Sequence, residues 1–127
     1  MKVFTYSQRV YFSDTDAQGI VYHARYLDFA EHGRTEMARR LGTSGLEGGL
    51  AFVVRSMTIG FEKPAYLDDM LVVETGVAEF GRVSMVFDQV IRRGEEVVCR
   101  MSVKVACIDI ATKRIARIDQ RLVDALS

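Results

Sequence analysis

The chain has 127 residues, 49% hydrophobic and 27% charged, which is the make-up of one soluble globular domain able to bury a core. Its 17 basic and 17 acidic side chains cancel, which argues against a protein organised around nucleic acid or an anionic membrane surface. No apolar run reaches the length of a membrane-crossing helix.

The opening "MKVFTYSQRV" is polar and alternating and is not expected to be a secretory leader. Residues 3–13 continue at roughly period two and predict a strand. Asp14, Asp16 and Gly19 follow, and then the period changes. Leu27, Ala30, Arg34, Met37, Ala38 and Leu41 share one face of a helix over 24–41. Arg39 and Arg40 complement the dipole of its last turn, and Gly42 is a natural stop.

After the Gly-rich connection "GTSGLEGGL", the chain returns to strand. Met57, Ile59 and Phe61 alternate with polar or small residues until Pro64. Strands are predicted over 70–79 and 82–92 around Gly81, and over 96–109 after a turn at Gly94-Glu95. In the last, Val97, Cys99, Met101, Val103, Val105 and Cys107 are all in phase, opposite Arg100, Ser102 and Lys104. The two cysteines therefore lie too far apart along one strand to pair, which suits a reducing cytoplasm. "DQRLVDAL" predicts a short closing helix.

One strand, one long helix and four hairpin-linked strands predict an α+β domain over 1–127, with a five-stranded antiparallel sheet curved around the helix. A single helix cannot cover both sheet faces and both edges, so a homo-oligomer is expected.

Asp14 and Asp16 stand between strand and helix, and Gly19 permits a tight turn or close approach of a ligand. The first amides of the helix have no intrahelical acceptor, and with the helix dipole they favour an oxyanion. A carboxylate beside such donors is a minimal acyl-transfer site. Each residue also has a plainer role open to it. An aspartate ahead of a helix serves as a turn or cap residue, and His32 as a surface residue. Glu31 and Arg34 are spaced as an i,i+3 pair. His23, at the helix entrance, is a candidate for function. No metal-ligand spacing, G-x-S-x-G element or phosphate loop is present.

The stretch "DTDAQGIVYHARYLDFAEHGRTEM" resembles the signature of the 4-hydroxybenzoyl-CoA thioesterase family of hotdog-fold proteins. Its D-x-D-x-x-G-x-V-x-x-x-x-Y pattern falls on Asp14, Asp16, Gly19, Val21 and Tyr26, with a Glu and an Arg following on the helix. "AFVVRSMTIGFEKPAYLDDML" is similar to the branch of small bacterial acyl-CoA thioesterases encoded with the Tol–Pal system. The resemblance implies a hotdog fold in dimers and often tetramers, and hydrolysis of acyl-CoA without metal or cofactor. It implies that Asp16 is the catalytic carboxylate, as nucleophile or as activator of water, with Asp14 fixing the turn. His23 would contribute its backbone N–H to the thioester carbonyl, with the imidazole as an aid. Tyr22 and Tyr26 would line or support the pocket. Phe52, Met57, Ile59 and Phe61 are candidates for the acyl pocket, against plain core packing. Arg82, Arg55 and Lys63 are candidates for the CoA phosphates, against plain surface charge. The turn "EFGRVS" has only Arg82 where some members carry a basic run. Acyl carrier protein as the acyl donor, and a non-catalytic acyl-CoA-binding hotdog protein, are the alternatives.

Overall fold

The computed structural model describes residues 1–43 and 47–127; the predicted Gly-rich connection falls partly on 44–46, outside the described residues. In chain order the elements are β1 (Val3–Arg9), α1 (Arg25–Arg40), β2 (Leu50–Phe61), β3 (Met70–Phe80), β4 (Ser84–Arg93), β5 (Glu96–Asp109) and α2 (Gln120–Leu126). The strands form one antiparallel sheet in the order β1-β3-β4-β5-β2. β1 and β2 are thus opposite edges, and α1 carries the chain from one to the other across a single face. This is the α+β layout expected, a five-stranded sheet around one long helix. No helix among the described residues is long and apolar enough to cross a membrane.

The register fixes which side chains face α1. Thr75 pairs with Gln89 and Val77 with Phe87, while Ile91 pairs with Cys99 and Phe87 with Val103. Paired residues share a face, so Val73, Thr75, Val77, Phe87, Gln89, Ile91, Cys99 and Val103 form one buried inner surface. β5 has the bounds and the alternation read from its sequence. Both cysteines are buried and free, and burial pushes their thiols up, Cys99 to about 11.

The structure departs from the sequence reading at three places. β1 stops at Arg9, and residues Phe12–Asp14 form a 3₁₀ turn. The period-two pattern runs on to Ser13, but the Asp14 carboxylate accepts the Tyr11 N–H at 2.8 Å and turns the backbone first. The buried face of α1 is Tyr26, Phe29, Ala30, Gly33 and Met37, rotated from the predicted stripe; Leu27 is exposed. Gly33 explains the rotation. A Cβ there would come within 2.7 Å of Val73 Cγ1 and 2.9 Å of Thr75 Oγ1, so the helix rests its backbone directly on β3. Finally, β2 carries a bulge between Val54 and Ser56. The extra residue, Arg55, reverses the alternation, so Phe52 and Val54 join Met57, Ile59 and Phe61 on the inner face. α1 packs over β1 and β3. The inner row of β2 is left only partly covered: Val54 is 48% and Phe61 54% exposed.

Candidate active site

The site is built where the loop after β1 meets the start of α1. The Val10 N–H donates to Asp69 O at 2.9 Å, which ties the end of β1 to the β2–β3 connection. Asp14 then closes its turn and lies 3.8 Å from the Arg25 guanidinium, while its carbonyl accepts the Tyr22 N–H at 2.9 Å. All of its contacts are local scaffolding, as the turn role implied.

Residues 15–21 fold back on themselves. Thr15 bridges Val21, the Asp16 N–H donates to Ile20 O at 2.9 Å, and the Gly19 N–H to Asp16 O at 3.0 Å. Gly19 sits at φ +82°, a conformation glycine adopts without penalty. The Val21 N–H donates to Ala65 O at 2.9 Å and Ile20 bridges Tyr66, so the reversal is anchored on the β2–β3 connection. The reversal sets Ile20 opposite Asp16 and Tyr22 opposite Asp14, just ahead of the helix N-cap Ala24. Asp16 Oδ1 accepts the Gln18 N–H at 2.8 Å; Oδ2 has no hydrogen bond or ion pair among the described residues, and the side chain is half-buried.

At the helix start, Ala24 is the N-cap residue and provides no side-chain cap. The Arg25 N–H donates to Tyr22 O and the Leu27 N–H to Ala24 O. Among the described residues, the backbone N–H groups of His23 and Ala24 meet no acceptor. Helices normally cap such donors with Ser, Thr, Asp or Asn. Here the amides stay available to an incoming oxygen. That of Ala24 has no side-chain signature, so only the helix start itself could have pointed to it.

Aromatic rings frame these donors. His23 is exposed, lies 4.5 Å from the Tyr22 ring and meets Phe61 edge-on at 6.3 Å. Tyr26 is buried between Phe29 and Phe61, at 6.0 and 5.9 Å. Burial, with a smaller push from Cys99, raises the Tyr26 hydroxyl to about 12, opposed by a hydrogen bond from the Ala65 backbone. Val21 is buried at the anchor, and Gly19 is open.

Asp16, Gly19, Val21, Tyr22, His23 and Tyr26 therefore belong to one short segment and Phe61 joins them. Arg82 does not. It occupies the β3–β4 turn, separated from the β2–β3 connection by the 11 residues of β3, roughly 35 Å at about 3.3 Å each. Arg55 is exposed at the β2 bulge. Lys63 is committed to Glu96 at 2.7 Å. Glu31 and Arg34 do not pair: Arg34 Nη1 donates to Gln89 Oε1 at 2.9 Å and Glu31 accepts from Thr35. This contact was invisible locally, because its partner is 55 positions away. Among the described residues, no group of His, Cys, Asp and Glu is arranged to hold a metal.

An antiparallel five-stranded sheet curved over one long helix is the hotdog layout. Residues 18–100 match the Thioesterase superfamily, and the chain belongs to that family. It is 45% identical over 111 residues to "Acyl-CoA thioesterase YbgC" of Haemophilus influenzae, covering 84% of this chain and 82% of that one. It is 42% identical over 111 residues to "Acyl-CoA thioester hydrolase YbgC" of Escherichia coli O157:H7, covering 84% and 83%. The crystal structure of a probable thioesterase from Bartonella henselae superposes with a TM-score of 0.88 at 35% identity, over 93% of this chain and 100% of that one.

Proposed function

We propose that the protein hydrolyses acyl-CoA to the free carboxylic acid and CoA, with Asp16 as the reacting carboxylate and the His23 and Ala24 amides as the oxyanion hole. The observation that carries this is that the His23 and Ala24 amides at the start of α1 meet no acceptor among the described residues, in the same short segment as a carboxylate with one free oxygen. The relatives' names support the substrate class.

The chemistry needs nothing else. As water oxygen bonds to the thioester carbon, its proton passes to Asp16 and the carbonyl oxygen gains negative charge against the two amides. The C–S bond then breaks, its electron pair going to sulfur, and the proton returns from Asp16 to give the thiol. If Asp16 attacks instead, the same oxyanion forms and water later opens the acyl-aspartyl anhydride. A general base contributes about 10²–10⁴-fold and one oxyanion donor about 10²–10³-fold. His23 acts in this account through its amide, because its ring packs among aromatic neighbours, Tyr22 and Phe61.

The open edge of β2 and its half-covered inner row support a homodimer at least. Release of free thiol from a panel of acyl-CoAs, alongside one acyl chain carried on acyl carrier protein, tests the function. Saturable release from acyl-CoA is expected. Binding of acyl-CoA with no release across the panel would make the protein a carrier rather than a hydrolase.

A further inference from the structure

The inner row of β2 runs antiparallel to α1, from Phe61 against His23 and Tyr26 to Phe52 near the helix C-terminus. Between helix and strand lies a cavity of ≈ 310 Å³, walled by Met37, Phe52, Val54, Met85, Phe87 and Leu122. Among the described residues, two charged side chains line it, Glu31 and Arg34.

Arg34 is held in an unusual way. Gln89, 1% exposed, donates both to Ala30 O and to Thr75 Oγ1, which turns its oxygen towards Arg34. Arg34 Nη1 fills that acceptor at 2.9 Å. Nε and Nη2 have no hydrogen bond or ion pair among the described residues. Burial works against the guanidinium's charge, and Glu31 offsets this only through space. A half-open cleft, mostly apolar apart from Thr35 and Thr43, thus presents unused N–H donors and a carboxylate acceptor together. A hydroxyl is the group that satisfies both, since its oxygen accepts from Arg34 while its hydrogen donates to Glu31.

We propose that this cavity takes the far end of the substrate's acyl chain and selects chains ending in a hydroxyl group, with Arg34 and Glu31 as the specificity-determining pair. This rests on the reading of the protein as a thioesterase. Gln89 holds the Arg34 head at a level between Ala30 and Arg34. At about 1.5 Å per residue, that is roughly 9–15 Å along α1 from Ala24. An extended chain advances roughly 1.2 Å per bond, so the hydroxyl belongs about 8–12 carbons from the thioester.

The test compares octanoyl-, decanoyl- and dodecanoyl-CoA with their ω-hydroxy counterparts, and measures binding of the free acids by calorimetry. We expect a kcat/KM preference of about tenfold or more for one hydroxylated chain, carried mainly in KM, with the hydroxy acid binding more tightly than the plain acid. Arg34→Met and Glu31→Met should each bring that ratio close to one. Glu31 is exposed and bonded only to Thr35, so its variant folds even if Arg34→Met does not. Equal ratios for the wild type and Glu31→Met, or no hydroxyl preference at any length, overturn the proposal. So does a cavity filled by a second copy that binds neither acid. Hydroxy-acid binding that depends on Glu31, in a protein that cleaves no thioester, would keep the pocket and reject the hydrolase instead.

Discussion

Replacing Gln89 with leucine removes three hydrogen bonds from the interior while keeping most of the volume. All three measure 2.9 Å, to Ala30 O, to Thr75 Oγ1 and from Arg34 Nη1. Their losses are unequal. Ala30 O lies within α1 and keeps the helical bond expected from the residue four positions on. Thr75, 1% exposed, is left with a buried hydroxyl short of a partner, at about 1–3 kcal/mol. Arg34 loses a charge-assisted bond worth about 1.5–3 kcal/mol. The variant should be destabilised by about 3–5 kcal/mol, and its Tm lowered by roughly 10–20 °C for a chain of this size. Urea and thermal unfolding followed by circular dichroism measure this. Gln89→Leu combined with Arg34→Met should recover part of the loss, since the uncompensated charge is gone. A single variant within about 1 kcal/mol of wild type, or strict additivity in the pair, would refute the network.

Gly33→Ala, which stabilises an exposed helix by about 1 kcal/mol, should here destabilise by about 1–2 kcal/mol in chemical denaturation, because the new methyl meets Val73 and Thr75. Asp14→Ala should lose about 1 kcal/mol of stability through the freed Tyr11 N–H; its thioesterase activity should fall much less than that of an Asp16 variant. Tyr26 favours its neutral form when folded, with the hydroxyl raised from 10.0 to about 12, so this stabilisation is complete below pH 10 and lost as pH rises through 12. Up to about 3 kcal/mol is at stake, and alkaline unfolding between pH 10 and 12 should be shallower in Tyr26→Phe than in the wild type.

What the sequence made legible follows from the range of the forces involved. β5 could be read to the residue because its alternation is set by one buried face, and the Asp14–Gly19 segment because turn chemistry is local. β1 was read too long where one carboxylate outweighed four alternating positions. The helix face differs from its hydrophobic stripe because Gly33 has no hydrophobicity to register, although its missing side chain decides where α1 rests. Gln89 did carry a signal, a polar residue in phase with Phe87 and Ile91, but its partners come from α1 and β3. The bulge at Arg55 re-aims Phe52 and Val54, and no local pattern marks it. The open amides of His23 and Ala24 belong to the backbone, so the sequence pointed to them only as the first amides of the helix, and the family resemblance singled out His23 alone.

Asp16→Asn tests the central claim most directly, because the amide oxygen can still accept the Gln18 N–H and hold the turn. On any acyl-CoA the wild type cleaves, kcat should fall by about 10²–10⁴-fold while Tm stays close to wild type. Turnover within about twofold of wild type would contradict a reaction run by this carboxylate.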